Sequence, residues 1–132
     1  MAKMERRKLG GLTFEKLYEE FENYNKIKNL RPATIKSYRE NLQSLKTFMD
    51  DAGLQSITDF TSKSMENFIQ YLQAKGSINS ITINTYLRAA RVFLRYAMTQ
   101  GYLNEFKITL ISQDKAVKEI YSEEEIEKLF FL

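Results

Sequence analysis

A chain of 132 residues with 43% hydrophobic side chains and a formal net charge of +3 is sized for one domain with a single modest core. It has no cysteine and no histidine, which removes disulfides, thiolate chemistry, the commonest general base and the commonest zinc ligand. No apolar run approaches a membrane span and the first residues lack the apolar stretch of a signal peptide, so the expectation is a cytoplasmic protein with no membrane partner and no cofactor.

One proline and five glycines leave few turns and favour long helices, and eight tyrosines with nine phenylalanines supply the bulk of a core that has no tryptophan. Residues 1–12, with Lys3, Arg6, Arg7, Lys8 and Gly10-Gly11, read as a flexible basic arm or linker. Thr13 is the expected N-cap of a first helix running to about Lys28, with Phe14, Leu17, Tyr18, Phe21 and Tyr24 on one face. Glu15, Glu19, Glu20 and Glu22 make its outer face acidic and unsuited to phosphates. Arg31-Pro32 opens a second helix, proline being well placed in a first turn because its missing N–H has no acceptor there. Ile35, Tyr38, Leu42, Leu45 and Met49 form its apolar stripe and Gly53 its left-handed stop.

Leu54 to Phe60 is a connector whose Ile57 and Phe60 should plug the core. Thr61 or Ser62 caps a third helix to about Lys75, built on Met65, Phe68, Ile69 and Leu72 and halted by Gly76. Ser80 is the expected cap of a fourth helix. Its broad apolar face of Ile83, Tyr86, Leu87, Ala90, Phe93, Leu94 and Ala97 runs to Gly101. Tyr102 to Lys118 is open between a short extended segment and loop anchors at Phe106, Ile108, Leu110 and Ile111. Ser122 with Glu125 makes a capping box for a last helix, Glu123 to Phe130, which the end of the chain cuts off.

One pattern occurs twice. Thr34-Ile35-Lys36-Ser37-Tyr38 returns as Thr82-Ile83-Asn84-Thr85-Tyr86, each at the start of a helix. Lys36, Arg39, Gln43 and Lys46 follow on one flank of the second helix, and Asn84, Arg88, Arg91 and Arg95 on one flank of the fourth. Residues 80–101 contain no acid, whereas residues 102–132 set seven acids against four lysines. Helix starts offer free N–H groups and a partial positive charge, and Thr34, Ser37, Thr82 and Thr85 add hydroxyls there, as caps or as phosphate donors. Lysine and arginine along such a flank pair with backbone phosphates, and Asn84 and Gln43 are the side chains best suited to base edges. The two stripes are expected side by side on one wall that cradles duplex DNA.

A single cationic stripe is more often a solvated face, so a non-catalytic module that binds an acidic protein stays open as the alternative. Tyr38 and Tyr86 are better read as edges of apolar stripes than as nucleophiles, since no histidine is present to serve as base. Glu123 to Glu125 are better read as acids at the positive end of a helix than as a metal site.

The segment Leu30 to Tyr38, followed by Leu42, Leu45 and Phe48, resembles the first conserved helix of the core-binding domain of tyrosine recombinases, the phage-integrase family. The likeness continues through Ile57-Thr58-Asp59-Phe60, Ser80 to Ala97 and Gly101-Tyr102-Leu103, and Tyr121 to Leu129 is similar to the start of that family's catalytic domain. Asn104 is followed by Glu105 where the family usually has Asn-Pro, and Arg31-Pro32 stands where a capping serine is often found.

The resemblance implies an all-α, compact four-helix, SAM-like domain over 13–103, a linker over 104–121, and at 122–132 the first helix of a catalytic domain that is missing here. It also implies that the second and fourth helices face double-stranded DNA within a C-shaped clamp, alongside further recombinase protomers. The family cleaves and rejoins DNA through a tyrosine nucleophile without metal or cofactor. Its catalytic residues lie in the following domain, and none is carried onto this chain. The DNA-contacting set expected is Arg31, Thr34, Lys36, Ser37, Arg39, Gln43, Lys46, Ser80, Thr82, Asn84, Thr85, Arg88, Arg91 and Arg95.

Overall fold

Apolar residues at helical spacing, punctuated by caps and glycines, turn into helices where expected, with one change of number. The computed structural model describes residues 11–111, and the regular structure among them is helical, with no strand. Helix α1 spans Phe14–Ile27, α2 Pro32–Asn41, α3 Gln43–Asp51, α4 Ser62–Ala74 and α5 Ser80–Thr99, with a 3-10 turn at Ile57–Asp59. The second expected helix is thus two. They meet at Leu42, whose ψ of −10° departs from the helical value of about −42°. There the Ser44 hydroxyl donates to the Asn41 carbonyl at 2.9 Å, the competing bond by which a mid-helix serine bends a helix. The bend lets α2 pack on α1 and α5 while α3 turns to α4 and α5. Counted as one bent arm, α2–α3 leaves a four-armed SAM-like bundle.

The helix ends follow from side chains. Thr13 accepts the Lys16 N–H at 3.2 Å. Thr61 and Ser64 exchange bonds in a capping box, each side chain taking the other's N–H. The expected cap Ser80 is instead the first residue of α5. Asn79 is the cap, and its side-chain oxygen accepts the Thr82 N–H at 2.9 Å. Gly53, at φ +73°, closes α3 by giving its N–H to Asp50 while Leu54 gives its own to Met49, the paired bonds of a Schellman stop.

The core is organised around Phe93 of α5. Its ring centroid lies 5.1 Å from Phe14 and 5.3 Å, edge-on, from Phe21, both on α1. Phe21 in turn meets Tyr96 at 5.6 Å and Tyr38 at 5.7 Å, so one ring touches α1, α2 and α5. Ile57 and Phe60 are buried, as the connector reading required.

The described residues before the first helix and after the last are held to the bundle. Leu12 gives its N–H to the Ser56 hydroxyl at 2.9 Å and receives the Ile57 N–H at 2.7 Å, so the end of the expected basic arm belongs to the packed structure. At the other side Tyr102, Leu103 and Ile108 are buried and Phe106 stacks near Phe60 at 6.3 Å, which is the loop-anchor alternative. The arm at 1–10 and the helix expected at 123–130 lie outside the described residues.

Phe93→Ala removes contacts with three aromatic rings at once. A loss of about 3–5 kcal/mol in urea unfolding is expected, a large share of the roughly 5–15 kcal/mol a small domain possesses.

Candidate nucleic-acid interface

Helix α5 is packed on most of its circumference, and what remains outside is one narrow ridge. Arg88 and Arg95 stand exposed on it, and Arg91 is half-buried beside them. Among the described residues none of the three has a carboxylate within ion-pair distance. Burial, and then the charges of Arg95 and Arg88, hold the Arg91 guanidinium below its usual range. Among the described residues the stripe is therefore a set of neighbouring like charges with no compensating carboxylate. Ile81, 57% exposed, and Val92, 39% exposed, share the ridge.

The cations of α2 and α3 are in a different electrostatic state. Arg39 donates to Glu22 of α1 at 2.7 and 3.1 Å, and Glu22 also receives the Tyr18 hydroxyl at 2.9 Å. The hydrogen bond from Arg39 holds the Glu22 carboxyl below the carboxylate range. Burial, and then Glu22, push the Tyr18 phenol up to about 12. Lys46 pairs with Asp50 at 3.3 Å. Lys36 is exposed and opens, with Arg39, onto a groove shared with Lys26, Leu30, Pro32 and Ile35. Arg95 opens onto another groove, formed with Met98, Thr99, Glu105, Phe106 and Lys107. Lys36 and Arg39 thus border one groove and Arg95 another, and Glu22 ties Arg39 to α1.

The hydroxyl residues are not caps. The N-cap positions fall to Arg31, which is exposed and makes no side-chain cap bond, and to Asn79. Thr34 and Thr82 are half-buried in the first turns. Ser37 accepts the Asn41 amide at 3.2 Å, and Thr85 donates back to the Ile81 carbonyl at 3.1 Å. Gln43 is exposed at a groove of about 270 Å³ bordered by Glu40, Tyr71, Lys75 and Tyr86.

Asn84 requires correction. It is 1% exposed, so it does not stand on the outer stripe or reach a base. Its Nδ2 donates to the Ile111 carbonyl at 3.1 Å and its Oδ1 accepts the Ile111 N–H at 3.0 Å. The chain after α5 runs back along this flank, and a buried backbone must have its polar groups paired. Helical periodicity alone groups Asn84 with the arginines because it carries no information about a segment folding back from 27 residues away. The same return brings Lys107 to the groove of Arg95, a cation that the reading by helical stripes passed over.

Among the described residues no helix is long and apolar enough to cross a membrane, and no group of three or more carboxylate, cysteine or histidine side chains converges as a metal site would require.

Residues 18–101 match the family described as phage integrase, N-terminal SAM-like domain. The tyrosine recombinase XerC of Oceanobacillus iheyensis is 29% identical over 106 residues, which covers 78% of this chain. The chain spans about a third, 34%, of that relative's length. Among solved structures, the N-terminal domain of a phage integrase/site-specific recombinase from Haloarcula marismortui superposes with a TM-score of 0.68. The superposition covers 76% of this chain and 97% of the other at 14% identity, a likeness of fold.

The mutual repulsion of the three arginines carries an expected cost. Arg91→Gln relieves repulsion at both i−3 and i+4, each such pair costing about 0.2–0.5 kcal/mol on a helix. Its melting temperature should exceed that of the parent chain at low salt, and the difference should fade as salt screens the charges. Lower stability at every salt concentration would mean that Arg91 has an acidic partner.

Proposed function

Because the chain belongs to the phage integrase N-terminal SAM-like domain family, we propose that it is the non-catalytic DNA-binding domain of a tyrosine recombinase and docks the α5 ridge against duplex DNA. One observation carries the reading. Arg88, Arg91 and Arg95 stand together without an acidic partner among the described residues. Such a cluster destabilises the free protein, and a polyanion relieves it by supplying the missing charge. Arg88, Arg91 and Arg95 pair with phosphates. Ile81 and Val92, exposed on the same ridge, offer apolar contact to thymine methyl groups, the role of base reader that Asn84 cannot take.

Arg39 and Lys46 contribute less, since each must first leave a carboxylate. Lys36 and Arg31, exposed at the α1–α2 junction, reach phosphates farther along the duplex, and Thr34, Ser37, Gln43, Ser80, Thr82 and Thr85 remain secondary contacts. Strand cleavage and rejoining, and the assembly of further protomers on DNA, belong in this reading to the parent recombinase, with its catalytic groups in a following domain.

The test is titration of duplex DNA at low salt. Changing Arg88, Arg91 and Arg95 together to alanine should abolish measurable binding or reduce the slope of log affinity against log salt by about two to three, one released counterion per lost phosphate contact. Arg39→Ala and Lys46→Ala should each cost less than any one of the three. Affinity unchanged in the triple variant, or equal displacement by polyglutamate, would overturn the reading in favour of an acidic protein partner.

A further inference from the structure

We propose that Asn84 is a positioning residue whose paired hydrogen bonds to Ile111 hold residues 104–111 in one register along α5, so that Lys107 extends the arginine ridge towards the phosphates. The proposal rests on the DNA-binding reading above and adds a part of the surface that lies outside the helices.

The segment after Tyr102 has no regular secondary structure, yet its side chains alternate as those of a strand do. Phe106 is half-buried, Lys107 exposed, Ile108 buried, Thr109 exposed and Leu110 half-buried. A slip of one residue would put Lys107 into the core and Ile108 into water, because half-buried or buried and exposed positions alternate from 106 to 110. Something must therefore fix the register. Apolar packing of Phe106 on Phe60 and of Ile108 in the core supplies part of it. The only amide side chain buried on α5 supplies the rest. A primary amide presents one donor and one acceptor side by side, which matches the carbonyl and N–H of a single residue, and Asn84 uses both on Ile111. With Asn84 1% exposed, water cannot replace these bonds, and breaking either leaves a buried polar group unpaired.

The consequence is electrostatic. Lys107 opens onto the same groove as Arg95, and among the described residues it has no ion pair. It adds a fourth cation to the edge of the ridge. Glu105, two residues before Lys107 and exposed like it, borders that groove too, so the segment sets one acid beside the added cation.

A double-mutant cycle tests this in the full chain. Binding of a mixed-sequence duplex at low salt is measured for the parent, Asn84→Ala, Lys107→Ala and the double variant, with amide exchange at Ile111 followed alongside. Lys107→Ala should weaken binding several-fold and lower the salt slope by about one. Asn84→Ala should weaken it comparably, though it removes no charge, and should free the Ile111 amide while the amides of Phe93 and Leu94 stay protected. The decisive result is that Lys107→Ala has no further effect once Asn84 is gone. An equal loss from Lys107→Ala in both backgrounds overturns the proposal, as does parent-like binding by Asn84→Ala. If Asn84→Ala unfolds, Asn84→Leu, of similar volume and uncharged but without donor or acceptor, runs the same cycle. Failure of the parent chain to bind DNA at all would sink the DNA-binding reading itself. Binding that needs the three arginines but shows an additive cycle would sink only the role of Asn84.

Discussion

The edge-on contact between Phe21 and Phe93 dictates how this domain is assembled. It seats α5 against α1 along one side, and Phe14, Tyr38 and Tyr96 complete the aromatic seam around it. With α2, α3 and α4 also packed on α5, that helix is surrounded on most of its faces. A helix enclosed in this way has little surface left for charge, and α5 places Arg88 and Arg95 on what remains. Glu20 reinforces the seating by accepting hydrogen bonds from Tyr96 and Tyr102 at 2.8–2.9 Å. This joins the acidic flank of α1 to the end of α5.

Charge compensation separates two stripes that look alike as residue patterns. Arg39 faces Glu22 across the α1–α2 junction, and Lys46 faces Asp50 one turn along its own helix. Exposed pairs of this kind contribute little stability, but they lower the local potential that a polyanion would feel. The α5 arginines have no such partners among the described residues and repel one another. Their arrangement is intelligible as a surface held ready for an external anion, with a modest cost in the free protein.

The segment after α5 shows how a stretch without regular structure can still have a defined conformation. It is fixed by buried side chains at Tyr102, Leu103 and Ile108 and by one amide at Asn84. A polar residue on a helix flank is normally assigned to solvent. Here it satisfies the backbone of another segment, which carries Lys107 at the groove of Arg95.

Local physics made much of this legible in advance. The periodicity of Phe14, Leu17 and Phe21, the caps at Thr13 and Thr61, and the left-handed stop at Gly53 each depend on residues within one or two turns, so the chain alone determined these helix ends and apolar faces. The exposed positions of Arg88 and Arg95 followed from the same periodicity. Tertiary structure decided the rest, since the deciding partners are distant along the chain. Glu22 neutralises Arg39 from 17 positions away, and Ile111 claims Asn84 from 27. A repeated pentapeptide could indicate two matching helix starts. Which of its polar side chains meet solvent depends on what folds back over them, and that is a property of the packed molecule.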